Sequence, residues 1–585
     1  MKKKSRSSQK FYLNNYIYLL IYSIIFVLIS HVSINVSSII YDYPFHLARI
    51  VGLAQSLVNH DFLPNLNYMF LNGSGYGVAM FYGNWMLYLP ALVFIHTETA
   101  TLSFDIFVWQ SIFFTVCATN YVLEKITKDK LRALLGAIAI SCSVTYFGFG
   151  MTAVVPLIPL LLYSIYKVIF EDRYSPVLLA VTIALLIQTH IISTLVLAIF
   201  SLILVLLNFN RLTLKKVKSF IISIILAIFL SSGFIFQYLE QSTSQTFFVS
   251  WKLRNYPFPS NALMSPGDLY SIVTNYYWPI VFLFIFLSIV IFKKLDVFSR
   301  QLILATLVMF IFSSNLLPWH ILRETFLSVF QYTERLIYLL PVFVIFAIAK
   351  TAPKQLVILT TVLQLSAYVY MFPMTFRSYD VPYSDRGYSD SAKKIMKNTN
   401  EDALESYRNS VDYTYDTSGD EYLTIDVDHD NIRNGTIKQF EFDSNKVSIS
   451  NVTYGYNRLE FDISLHTNAE DQIIVLPRIW YKGYTAFYSK GASGSQPSLL
   501  YKSKTDEELD ESNKVKKPNL SQKVLYDGRA SLEVSSSGHI MILYKKTIIQ
   551  KIGYLIEFLS FVIIFIYTLF KNYKKSSYNN KHGRK

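Results

Sequence analysis

Apolar runs near bilayer-spanning length recur along the chain at about 11–34, 102–123, 131–149, 152–170, 176–207, 215–238, 278–293, 297–314, 334–350, 354–372 and 548–570. Polar gaps part them, and several are basic: Lys2 to Lys10, Lys125 to Arg132, Glu171 to Arg173, Arg211 to Lys218, Lys293 with Lys294, Lys350 to Lys354, and the tail from Lys571. Basic gaps mark the cytoplasmic side. Strict alternation puts all of them there on two conditions. Met80 to Ile95 must not cross, and becomes an amphipathic helix at the outer interface. The run 176–207 must cross twice, as helices of about 24 Å each, shorter than the roughly 30 Å hydrocarbon core. Its Gln188-Thr189-His190 tip is then recessed, and two short helices with polar residues at their junction point to a cavity. About twelve crossings result, with both ends inside.

The opening MKKKSRSSQK and the run after it lack a small-residue cleavage site, so they read as a retained signal anchor. The outer segments become 35–101, a turn at Gly150, 240–277 with 315–333, and the long stretch 376–547. That stretch holds alternating runs (KVSISNV, RLEFDISL, QIIVLPRIWY, ASLEVSS, HIMILY) broken by Gly, Asn and Asp, the pattern of an antiparallel β-sandwich. Ser503 to Gln522 is charged and poor in apolar residues, and reads as a mobile loop. The expected fold is thus a polytopic α-helical membrane protein with an extracytoplasmic β-sandwich before the last helix. Its parts are a basic N-terminus (1–10), a transmembrane domain (11–375), the β-rich domain (376–547), a final span (548–570) and a basic tail (571–585).

Composition agrees. Hydrophobic residues make up 52% and charged ones 16%, unlike an ordinary soluble domain. The net charge of +14 sits at the ends and in the gaps, while the polar stretch from Arg377 to Lys546 is rich in Asp and Glu, which argues against nucleic acid as a partner. Cys117 and Cys142 fall inside apolar runs, so the outer domain has no disulfide and no thiol metal site. There is no His-Glu-x-x-His motif, and no Gly-rich phosphate loop opens a helix.

The densest chemistry lies in YDYPFHLARI, residues 41–50. A helix starting near Pro44 would put His46 and Arg49 on one face, with Asp42 at its N-terminus. The same residues also read as a capping Asp with an interfacial His and Arg.

The runs YDYPFHLARIVGLAQSL and GYGVAMFYGNWMLYLPAL, with FQYTERLIYLLP and LPRIWYKGYTAFY further on, resemble bacterial YfhO-like and pyruvoyl-tetrahydropterin-synthase-related membrane proteins of the GT-C glycosyltransferase superfamily. The resemblance implies a GT-C-like membrane domain that cradles a polyprenyl-phosphate sugar donor. It implies that Asp42 takes the proton of a glycan acceptor hydroxyl. Gln331 and Arg335 match positions of the family's Gln-Phe-Pro-Trp-Arg segment. Arg335 and Arg49 are the first choices to meet the leaving phosphate, with Lys252 and Arg254 as alternates. His190 either bonds the donor or acceptor or satisfies backbone at the turn. Relatives carry a second acid after the third span, where Thr145 to Val154 has none, so neither metal nor cofactor is expected. Glu240, Asp268, Asp105 and Glu324 read as caps or solvated charges. The expected function is transfer of a sugar to a cell-envelope glycan on the outer face of a bacterial plasma membrane. A lipid-linked-glycan transporter or flippase and a non-catalytic envelope assembly factor are the alternatives.

Overall fold

Where water is scarce, an apolar run must satisfy its own backbone, and the helix does so within one segment. The computed structural model describes residues 15–29, 43–144, 150–171, 176–248, 285–313, 316–322, 324–331, 333–376, 421–427, 439–466, 472–490, 498–500 and 528–582. Its helices are α1 (Asn15–Ile29), then α2 (Tyr43–Val58), α3 (Val78–Phe81), α4 (Tyr88–Thr97), α5 (Ala100–Thr127), α6 (Lys130–Ser141), α7 (Ile158–Phe170), α8 (Pro176–Thr189), α9 (Ile191–Leu206), α10 (Leu214–Leu230), α11 (Ser232–Ser244), α12 (Val297–Phe312), α13 (Leu340–Thr351), α14 (Lys354–Phe376) and α15 (Ile548–His582). Polar caps start several of them: Asp129, Thr213 and Asp296 accept from the backbone N–H of Arg132, Lys216 and Ser299.

Among the described residues three helices are long and apolar enough to cross a bilayer, Leu102–Thr127, Met151–Phe170 and Ile548–Lys571, and a bent pair makes a fourth. Eight further apolar helices are shorter. α10 and α15 carry exposed apolar faces, with Ile221, Ile224, Ile225 and Phe229 on one and Leu555, Phe558, Ile563 and Phe565 on the other. Apolar surface of that extent suits lipid or a partner, not water.

The expected break at the tip of 176–207 is present: α8 ends at Thr189 and α9 begins at Ile191. The stretch 215–238, read as one span, is instead bent by 73° between α10 and α11. Ser231 and Ser232 turn their hydroxyls back onto Ala227 O and Phe229 O at 2.6 and 2.9 Å, and a Ser-Gly step is a common kink. α15 fills the bend, where Ser232 Oγ donates to Gly553 O at 2.8 Å. Met80 to Ile95 is not one helix either. It forms α3, an irregular turn, a 3₁₀ turn at Trp85–Leu87, and α4. α13 starts only at Leu340, with Thr333–Leu336 as a 3₁₀ turn before it.

Several basic gaps meet. Lys354 pairs with Asp129 at 3.0 Å, Lys350 with Asp296, Arg132 donates to Ala349 O and Ala352 O, and Lys216 donates to Ile169 O.

The β region holds seven described strands: β1 (Val447–Gly455), β2 (Arg458–Leu465), β3 (Gln472–Ile479), β4 (Tyr484–Lys490), β5 (Ser498–Leu500), β6 (Arg529–Val534) and β7 (Gly538–Tyr544). They make two antiparallel sheets, ordered β1-β2-β7-β4 and β3-β6-β5. Leu459, Phe461 and Ile540 from one sheet and Ile474, Leu476 and Leu532 from the other share one core, as alternating strands dictate. The alternation had not marked β4 or β5. Leu66, Phe70, Tyr76, Val78 and Met80, from the chain between α2 and α4, enter the same core. Arg478 Nη1 donates to Gly73 O at 2.5 Å and Ile479 N to Ser74 O at 3.1 Å, so this chain is bonded to the sheets.

Candidate functional site

The sequence spacing of His46 and Arg49 becomes real contact on α2, with Arg49 Nη1 3.4 Å from His46 Nδ1. Both are nearly closed to solvent, at 2% and 3% exposure. Arg49 Nη2 donates to Tyr82 O at 3.0 Å, Gly83 O at 2.8 Å and Asn84 Oδ1 at 3.2 Å. Its guanidinium lies 3.8 Å from the Tyr82 ring centre. The buried Nε has no hydrogen-bond partner. No carboxylate pairs with Arg49 among the described residues. A buried cation with no counter-charge among the described residues costs several kcal/mol, which negative charge placed beside it would relieve.

The turn that supplies these acceptors is wedged against the α8–α9 break. A Cβ on Gly83 would stand 1.7 Å from Gln188 O, so only glycine allows that approach. Trp85 Nε1 donates to Thr189 Oγ1 at 2.8 Å. His190 caps α9, its Nδ1 accepting from Ser193 N at 3.1 Å, and its ring lies 5.1 Å from Tyr82. The sequence offered His190 as a partner for backbone carbonyls at the turn; instead its Nδ1 satisfies a backbone N–H, and the ring joins the site. Burial first, then the Arg49 charge, holds the His46 imidazole well below the usual histidine range.

The 421–427 segment closes the opposite side. Tyr422 stacks on Phe81 with centroids 5.0 Å apart. Burial foremost, then the Glu421 charge, pushes its phenol up, while Arg49 and Arg335 both pull it down. Gln331 is buried, holds a left-handed φ of 60°, and donates from Nε2 to Glu421 Oε1 at 2.7 Å. A non-glycine residue held there marks a constrained spot. Arg335, partly buried in the following 3₁₀ turn, is thus brought toward the same group of rings as Arg49. Asp42, Lys252 and Arg254 lie outside the described residues, as does Asp268.

Between Arg49, Tyr82, Trp85, Phe107 and Thr189 lies a cavity of about 10 Å³, room for about one water. The arrangement can hold an oxyanion against Arg49. A bulkier ligand needs the pocket to open.

Two acids escaped the sequence reading. Glu557, in the middle of the last apolar run, accepts from Gln188 Nε2 at 3.2 Å and from Gly233 N at 2.9 Å, so it ties α15 to the α8 tip. A lone carboxylate in an apolar run was the available signal. Glu240, read as a cap or a solvated charge, is buried and bonded to Thr547 Oγ1 at 2.8 Å and Gln550 Nε2 at 2.9 Å. Its helix runs on to Ser244 beneath the sheets, which removes it from water. Among the described residues no cluster of His, Cys, Asp and Glu is set to hold a metal ion.

No family model and no curated protein matches the chain.

Proposed function

We propose that the chain is a multi-pass, GT-C-like plasma-membrane glycosyltransferase of about twelve spans, its termini in the bacterial cytoplasm. It moves a sugar from a polyprenyl-phosphate donor to a glycan on the outer face. The observation that carries this reading is the buried Arg49 guanidinium, held by carbonyls and ring faces with Nε left unbonded. The chemistry asks for such a group. An acceptor hydroxyl oxygen forms a bond to the anomeric carbon as the bond from that carbon to the phosphate oxygen breaks. The electron pair leaves on the phosphate, where Arg49 and Arg335 meet the developing charge. The hydroxyl proton passes to Asp42, which immediately precedes α2 in sequence.

The test is sugar transfer from a radiolabelled polyprenyl-phosphate donor in membranes carrying wild-type or Asp42→Asn protein. Transfer should collapse while expression and insertion persist; undiminished transfer would retire the assignment. Glu557, half-buried and bonded to α8 and α11 from α15, favours a second reading, a transporter of a lipid-linked glycan. Under that reading Asp42→Asn leaves flux intact and Glu557→Gln stops it.

A further inference from the structure

A second cavity, of about 40 Å³, opens where three separate stretches meet: residues 61–68 after α2, the β1–β2 turn, and the link from β7 to α15. It has room for about three waters, several times the space beside Arg49. Its walls are Asp61, Asn65, Tyr68, Tyr456, Asn457 and Lys546. We infer that this cleft binds a neutral carbohydrate, taking ring hydroxyls between Asp61, Asn65 and Lys546 with a tyrosine face alongside.

Charge narrows the ligand class first. Lys546 Nζ stands 3.9 Å from Asp61 Oδ1, so the cleft holds one charge of each sign and selects neither an anion nor a cation. Hydrogen-bonding capacity narrows it further. Asn65 is 3% exposed and spends its Nδ2 donors on Gln237 Oε1 and Gln550 Oε1, at 3.1 and 3.2 Å. Its buried Oδ1 has no partner, an acceptor that waits for a donor. Asp61 accepts from the Tyr456 hydroxyl at 3.0 Å and keeps acceptor capacity, while Lys546 offers donors. Acceptors and donors side by side suit vicinal hydroxyls, each of which gives and takes one bond. The frame is fixed: Asn457, at φ 51°, accepts from Tyr68 OH at 2.7 Å and from Tyr544 N at 2.9 Å, and donates to Tyr544 O.

Arg49 lies nine residues back from the end of α2, about 14 Å along its axis. One sugar ring cannot bridge that distance, so an oligosaccharide lying along the segment would place a non-reacting residue in the cleft. The acceptor role rests on the transfer reading; the carbohydrate site does not.

The experiment uses the full chain in detergent, with saturation-transfer NMR against chitotriose, maltotriose and cellotriose. At least one should bind, and Asp61→Asn and Lys546→Gln should each weaken it at least tenfold. Arg49→Gln should leave that binding in place even where it stops sugar transfer, which separates failure of this site from failure of the transferase reading. Silence from all three sugars overturns the inference, as does binding indifferent to both cleft substitutions. Displacement by inorganic phosphate, or loss of binding in Arg49→Gln, overturns it too.

Discussion

The Arg49 pocket and the polar seam beneath the sheets both bury charge, yet they treat it in opposite ways. In the seam, Glu240 meets Thr547 and Gln550, Gln550 meets Tyr544 and Asn65, and Gln237 meets Asn65 and Tyr554. Each of these side chains is bonded to a partner from another part of the chain, with Asn65 Oδ1 left over. In the pocket, Arg49 has carbonyls, ring faces and a weak contact to His46. A satisfied network fixes a structure; a starved cation stores a cost that a ligand can relieve. The difference separates glue from site without appeal to any relative.

The sharpest way to break this comparison is Arg49→Gln. Polyprenyl-phosphate-dependent transfer should fall about 10²–10³-fold, the cost of one lost donor to a developing oxyanion, while Tm changes little, because removing a buried cation that has no counter-charge among the described residues offsets the bonds lost to Tyr82 O, Gly83 O and Asn84 Oδ1. A fall in Tm as large as that of a seam variant would make Arg49 part of the glue. Next in size is Gly83→Ala, whose Cβ would collide with Gln188 O. Overpacking against backbone should cost about 3 kcal/mol and take donor binding with it, since Gly83 O is a ligand of Arg49; thermal unfolding and donor titration read the two together. A normal variant would mean that the turn and the α8 tip are not locked. Glu240→Gln should cost about 2 kcal/mol of stability with affinity for polyprenyl phosphate within twofold of wild type. Weakened affinity would merge the two regions.

Much of this architecture was legible because it rests on local pattern. The polar tip at 188–190 showed in two helices too short to span, and the strand alternation located β1, β2, β3, β6 and β7 with ends within about three residues. His46 and Arg49 meet on one face of α2, as their spacing allowed once a helix starts near Pro44. What stayed hidden depends on distant partners. Nothing near Gly83 announces Gln188, more than a hundred residues on. Glu557 and Glu240 became structural through contacts with α8, α11 and α15 that no window of sequence contains. The bend at Ser231 is a middle case: the Ser-Ser-Gly step was in view, but an apolar run outweighs it until α15 is seen to fill the angle.

The smallest effect tests the pocket in its resting state. The folded protein holds His46 neutral, through burial and then the Arg49 charge, whereas the unfolded chain takes up a proton below pH of about 6.5. The unfolded state thus binds more protons, so the His46 contribution is whole above about pH 6.5 and is lost as acid is added, by at most about 1.4 kcal/mol per pH unit. His46→Gln should flatten the fall in stability between pH 7 and pH 5 by up to that slope, seen as a shallower fall in Tm, and parallel curves for the two proteins would remove His46 from the argument. The comparison adds a second arm. An anion seated against Arg49 favours the imidazolium, so saturating polyprenyl phosphate should shrink the His46-dependent slope in wild type and leave His46→Gln unaffected. The seam, whose Glu240 is already bonded to Thr547 and Gln550, should show no such dependence on an anion, and a slope unmoved by polyprenyl phosphate would mean that the negative charge binds somewhere other than beside Arg49.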